Sequence, residues 1–119
     1  MFTEQDLINK VVELAEKNTN FVYSPGRGNF RCKYVPDEKQ SGCIFGQALL
    51  ELGFSKEELL VHDFSEWAVG ISEILHPLGF STKIQNWARY IQVDQDGGEK
   101  WGDCLIMNPP PTLINRQTE

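Results

Sequence analysis

The sequence predicts a single α+β domain that is mainly helical, with about five helices and one small β-hairpin. The length of 119 residues fits one hydrophobic core. Apolar residues recur at helical spacing through most of the chain, while the stretch between residues 20 and 40 has the period of a β-ribbon. Residues 1–108 are therefore assigned to one globular domain, and the Pro-rich residues 109–119 to a C-terminal tail.

The first helix is predicted from Thr3 to about Asn18. Thr3 followed by Asp6 resembles a capping box with Asp in place of Glu, and Phe2 with Leu7 fits a hydrophobic staple. The apolar residues that follow have the spacing of one helix face: Leu7, Ile8, Val11, Val12, Leu14 and Ala15.

A β-hairpin is predicted between Asn20 and Gln40. The stretch FVYSPGRGNFRCKYVP begins with an aromatic and β-branched run, turns at Pro25–Asn29, and then alternates apolar and polar residues. Because a two-stranded ribbon is only marginally stable alone, we expect it to pack on the helices.

Two short helices are predicted next, separated by a glycine. The first begins at Ser41 or Gly42 and ends before Gly53, which suits the C′ position. Ser55 with Glu58 forms the capping pattern of the second helix, which runs to about Val61.

The capping pattern recurs at Asp63 and Glu66, ahead of an apolar segment that ends near Pro77. Ser81 or Thr82 is expected to cap a longer helix. Its apolar face consists of Ile84, Trp87, Ala88 and Ile91. A last short helix is expected from Trp101 to Met107.

The net charge of −6 resides in residues 41–119, which hold eleven acids and five bases. An acidic surface repels phosphate backbones, so nucleic-acid binding is not expected. The start MFTEQDL lacks the features of a signal peptide, and no apolar segment approaches the roughly 20 residues that span a membrane. We therefore predict a cytoplasmic protein without membrane contact, whose cysteines Cys32, Cys43 and Cys104 are thiols.

Cys43 is the candidate nucleophile, because a helix N-terminus favours the thiolate. A cysteine-dependent hydrolase or transferase also needs a base, for which the chain offers only His62 and His76. Cys43 lies at the margin of an apolar face, which favours a core role. The cysteines and histidines do not have the spacing of a metal site, and no metal or cofactor is expected.

The loop SPGRGNFR is the candidate for anion binding, because glycine-rich backbone nests hold phosphates. It matches neither a Walker motif nor a dinucleotide fingerprint, so a turn that requires glycines is favoured. The alternative is that Arg27, Arg31 and Lys33 bind a phosphate-containing small ligand or an acidic protein.

Three motifs follow one another along the chain: Cys-x-Tyr-Val, Gly-Cys-Ile-x-Gly-x-x-Leu-x-x-Leu-Gly, and Ala-x-x-x-Gln-x-x-Gln-Asp-x-Gly-x-x-Trp-Gly. Their residues are Cys32, Tyr34, Val35, Cys43, Ile44, Gly46, Leu49, Leu52, Gly53, Ala88, Gln92, Gln95, Asp96, Trp101 and Gly102. In these motifs the chain resembles a group of small uncharacterised proteins of actinobacteria and their phages, and departs from them in the adjacent Gly97 and Gly98. The resemblance implies no activity, but it implies a phage-type protein made in the cytosol of a bacterial host.

These observations favour a non-enzymatic accessory protein that binds and modulates a host or phage protein. Tyrosine and arginine are enriched at binding hot spots. The predicted contact residues are Tyr23, Arg27, Arg31, Lys33 and Tyr90. The cysteine-dependent enzyme and the phosphate-ligand protein remain the alternatives, and a homo-oligomer remains open because large apolar residues are numerous for a small core.

Overall fold

A computed structural model of the protein describes residues 2–23, 33–36, 42–63 and 70–113. These ranges hold six α-helices: α1 (Glu4–Lys17), α2 (Ile44–Glu51), α3 (Lys56–Asp63), α4 (Ile71–Leu75), α5 (Thr82–Asp96) and α6 (Trp101–Met107). A 3₁₀ turn, His76–Leu78, follows α4 directly. No helix in these ranges combines the length and the apolar character that a membrane crossing requires.

The local signals for helix ends are largely confirmed. At the start of α1, the Thr3 amide donates to Asp6 Oδ2 at 2.9 Å and the Asp6 amide donates to Thr3 Oγ1 at 3.0 Å. Ser81 caps α5 by accepting from the Ile84 amide. Gly53 follows α2 with φ +93°, a backbone conformation that favours glycine. Short-range hydrogen bonds therefore set these ends.

The predicted β-hairpin is wrong, and so is the α+β class: in the part of the chain that the structure describes there is no β-strand. Val22 forms only an isolated antiparallel bridge with Lys100. The amides of Tyr34 and Val35 donate to the two Asp63 carboxylate oxygens at 2.8 and 3.0 Å. Because these amides donate to a side chain of α3, they do not form the hydrogen bonds of a strand pair. The domain is mainly helical. The predicted turn Pro25–Asn29 lies outside the described residues.

Asp63 itself also differs from its predicted role as a helix cap. It is the last residue of α3, and its side chain is 3% exposed. The carboxylate accepts two backbone hydrogen bonds and lies 3.8 Å from Lys33 Nζ. Asp63 therefore fixes the segment 33–36 to the end of α3.

The helices enclose one core, in which α1 packs on α2, α4 packs on α5, and α6 contacts both α1 and α5. The rings of Phe45 and Trp87 meet edge to face with centroids 6.3 Å apart, which joins α2 to α5. Leu113, which lies in the predicted C-terminal tail, is partly buried and packs against this core.

Two buried amides on α5 hold the starts of two other helices. Gln95 Oε1 accepts from the Ile44 amide at 2.8 Å, and Gln92 Oε1 accepts from the Ile71 amide at 2.8 Å. The first amides of a helix lack a partner within the helix, so each glutamine satisfies a buried donor. Gln92 Nε2 also donates to the Tyr34 hydroxyl at 2.9 Å. The spacing Gln-x-x-Gln therefore has a structural role that the sequence did not reveal.

Candidate functional site

Cys43 does not occupy the position of an activated nucleophile. It is the N-cap of α2, where Ser41 or Gly42 was expected, and its Sγ accepts from the Gly46 amide at 3.4 Å. Its side chain is fully buried and is disulfide-bonded, so the prediction of a free thiol is wrong. Cys32 lies outside the described residues. A buried sulfur in a disulfide bond cannot attack a substrate in this state.

Cys104 is a free and fully buried cysteine. Burial, together with the negative charges of Asp94, Glu99 and Asp103, raises the pKa of its thiol to about 12. The thiolate is therefore scarce at neutral pH, and Cys104 is a core residue rather than a reactive one.

The candidate bases do not complete a catalytic pair. His62 lies in α3 and is half-buried, whereas His76 lies in the 3₁₀ turn and is exposed. A nucleophile and its base are expected within hydrogen-bonding reach. Among the residues that the structure describes, neither histidine side chain forms a hydrogen bond.

The predicted contact residues lie in different environments. Tyr23 is 2% exposed and its hydroxyl accepts from the Lys33 amide at 2.8 Å, so its ring does not reach the surface. Lys33 is largely covered and pairs with Asp63. Tyr90 is 54% exposed and fits a contact role. Arg27 and Arg31 lie outside the described residues.

A different surface feature, which we call the α1–α6 groove, lies between the first and last helices. It is open to solvent and has a volume of about 370 Å³. Its apolar lining consists of Val12, Ala15, Leu105, Ile106 and Pro110. Its charged lining consists of Glu16 and Asp103.

A close backbone contact fixes the position of α6 beside the end of α1. The Gly102 amide donates to the Thr19 carbonyl oxygen at 3.0 Å, and a Cβ on Gly102 would lie 2.9 Å from that oxygen. The Trp101 amide donates to the Phe21 carbonyl oxygen at 2.9 Å. Glycine is therefore required at position 102 for the two helices to border the groove at this distance.

The other end of α6 is fixed to α5. The Asn108 side chain donates to Asp94 Oδ2 at 2.7 Å, and the indole N–H of Trp87 donates to the Asn108 carbonyl oxygen at 2.9 Å. Hydrogen bonds therefore position both ends of α6, one beside α1 and the other beside α5.

The rim of the groove is acidic. Glu16 and Asp103 are both exposed, and neither forms an ion pair within the described ranges of the chain. The adjacent Lys17 lies 3.6 Å from a carboxylate oxygen of Glu13, which offsets its charge. The groove therefore presents two uncompensated carboxylates.

Four large apolar or aromatic side chains of α5 and α6 are exposed to solvent. Ile106 and Met107 of α6 are 77% and 51% exposed, and Val93 of α5 is 62% exposed. Tyr90 lies four residues before Asp94, on the side of α5 that contacts the end of α6. We call Tyr90, Val93, Ile106 and Met107 the α5–α6 flank.

Sequence reasoning missed the groove because it depends on the packing of two helices that are far apart in the chain. One signal was present in the sequence but was not used: Ile106 lies off the helix face that Trp101, Cys104 and Leu105 can share.

Comparison of the chain with protein-family models, with curated proteins and with solved structures found no match. The resemblance to small actinobacterial and phage proteins therefore stays a prediction.

Proposed function

We propose that this chain is a non-enzymatic binding protein that contacts another protein through the α1–α6 groove and the α5–α6 flank and thereby modulates it. The exposure of Ile106 carries this proposal, because this large aliphatic side chain lines the groove and is 77% exposed. Exposed apolar surface next to polar residues is typical of protein interaction sites. Tyr90 adds an aromatic side chain of the kind that is enriched at binding hot spots.

The resemblance in sequence extends this proposal to the cellular setting. Proteins of phage-type genomes act inside the bacterial host, so we propose a cytoplasmic partner encoded by the host or by the phage. This extension rests on the motifs alone.

The alternative functions receive less support from the structure. A cysteine-dependent enzyme would need Cys43 to be reduced, exposed and paired with a base, and none of the three holds for the described residues. A phosphate-binding loop would use Arg27 and Arg31, which lie outside the described residues, and Lys33, whose ammonium group is engaged with Asp63.

Affinity capture from an actinobacterial lysate, followed by reconstitution with the purified partner, tests the proposal. The test variant is Ile106→Lys, which places a charge on the groove. Val61→Lys is the matched control, because Val61 is 68% exposed on α3 and does not line the groove. We expect a stoichiometric partner to bind the wild type and Val61→Lys, and to be lost with Ile106→Lys. Equal binding by all three proteins, or no binding by any, would contradict the proposal.

A further inference from the structure

We infer that the α1–α6 groove takes a short basic segment of a partner protein, which inserts apolar side chains between the helices and places Lys or Arg beside Glu16 and Asp103. This inference rests on the proposed binding function and specifies the chemistry of the partner.

The shape and lining of the groove fit an inserted apolar side chain. Val12, Ala15 and Glu16 lie on one stripe of α1, at the spacing i, i+3 and i+4. Leu105 and Ile106 face them from α6. The less exposed apolar residues therefore form the floor, whereas the two acids lie at the edge. A peptide that binds between two helices uses such a floor for its anchoring side chains.

The charge of the groove favours a basic occupant. Both charged lining residues are acidic and are unpaired within the described part of the chain. The whole chain carries a net charge of −6, which attracts a cationic segment and raises its association rate. Lys or Arg beside Glu16 and Asp103 would then fix the position of the bound segment.

Other occupants fit less well. A second copy of this chain carries the same net charge of −6, so the two acidic surfaces would repel each other. A small ligand is usually enclosed by its site and held by several converging polar groups. The α1–α6 groove is open, and its uncharged polar lining is confined to Thr19 and Asn20 among the described residues.

The test uses a displayed library of random short peptides, selected on the wild-type protein. We expect the selected peptides to be enriched in Lys and Arg next to large apolar residues. The best peptide is then synthesised, and its affinity is measured by titration calorimetry at low and at moderate salt.

The expected affinities follow from the residues that line the groove. Ile106→Lys should weaken binding by more than about tenfold, because it removes an apolar contact and repels a cation. The double variant Glu16→Gln/Asp103→Asn should weaken it roughly three- to tenfold at low salt, and less at higher salt, as expected for two exposed ion pairs. The matched control, Glu57→Gln/Glu58→Gln, removes two exposed acids of α3 and should leave the affinity unchanged.

The results separate this inference from the proposed function. If the selected peptides are neutral or acidic, or if they bind the two double variants equally, then the groove does not take a basic segment. The proposed protein-binding function would still stand. Failure to select any peptide overturns the inference, and a host protein captured through Ile106 would then still support the function. If sedimentation shows a dimer that Ile106→Lys dissociates, a second copy occupies the groove and the inference is wrong. Thermal unfolding of each variant verifies that it is folded.

Discussion

Replacing Gly46 with alanine tests the packing between α2 and the segment that contains Tyr34. A Cβ built on Gly46 would lie 1.8 Å from the Tyr34 carbonyl oxygen and 2.5 Å from its carbonyl carbon. Both atoms belong to the backbone, so no side-chain rotation relieves the overlap. The two segments would have to separate by more than about 1 Å to reach an acceptable contact.

The cost of that separation follows from what holds Tyr34 in place. Its amide donates to Asp63 Oδ1 at 2.8 Å, and its hydroxyl accepts from Gln92 Nε2 at 2.9 Å. Steric overpacking costs about 1–3 kcal/mol, and each weakened hydrogen bond costs up to about 1 kcal/mol more. Alanine regains about 1 kcal/mol of helix propensity. We therefore expect Gly46→Ala to lower the free energy of unfolding by about 3 kcal/mol.

Urea unfolding followed by far-ultraviolet circular dichroism measures this loss. With an unchanged slope, the midpoint should fall by ~2 M. Gly97→Ala is the control, because Gly97 has a φ of −79° and its nearest Cβ contact is 3.4 Å. If the free energies of unfolding of Gly46→Ala and Gly97→Ala agree within about 0.5 kcal/mol, the Cβ of residue 46 does not clash with Tyr34.

Three further changes have defined outcomes. Burial raises the pKa of Asp96 to about 6, so the folded state binds this proton more tightly than the unfolded state and stability falls as pH rises from about 4 to 6. Because Asp96 is partly exposed, Asp96→Asn should raise the free energy of unfolding at pH 7 by only about 1 kcal/mol. It should also flatten the dependence of that free energy on pH, measured by urea titration. An unchanged pH dependence would contradict the raised pKa of Asp96. Gln95→Ala leaves the buried Ile44 amide without its acceptor, so it should lower the free energy of unfolding, measured by thermal unfolding, by about 1–3 kcal/mol. A decrease of less than about 0.5 kcal/mol would show that this hydrogen bond is unimportant for stability. Gly102→Ala would place a Cβ 2.9 Å from the Thr19 carbonyl oxygen. It should therefore speed amide hydrogen exchange where α1 and α6 meet, and it should weaken peptide binding. If the variant exchanges its amide hydrogens as slowly as the wild type, this tight contact is refuted.

The sequence could predict most helix ends because their signals are local. Thr3 and Asp6 satisfy each other within one turn, and Ser81 reaches the Ile84 amide three residues away. Such pairs need no knowledge of the rest of the fold, so the predicted and observed starts of α1 and α5 agree.

The hairpin prediction failed because a distant residue decides the conformation of Tyr34 and Val35. The alternation of Cys32 and Tyr34 with Arg31 and Lys33 is typical of a strand, but the amides of Tyr34 and Val35 both donate to the carboxylate of Asp63, 29 and 28 residues away. Asp63 was in turn predicted to cap a helix, since its spacing to Glu66 has the local pattern of a capping box. A long-range contact thus overrode two local signals.

The candidate site could be predicted only in part, for a similar reason. Tyr90 was identified by residue type and is exposed as a contact residue must be, but Tyr23 was chosen on the same basis and is buried. The α1–α6 groove combines Val12 with Ile106, which lie at opposite ends of the chain. No periodicity within one helix indicates that two such stripes will meet.

An amide NMR titration with the tightest basic peptide from the library tests most directly whether the α1–α6 groove is a binding surface. We predict that the largest chemical-shift changes occur at groove residues such as Val12, Ala15 and Ile106, and that Ile106→Lys abolishes them while Val61→Lys does not. If the largest changes instead lie on α3, or persist in Ile106→Lys, the groove is not the binding surface.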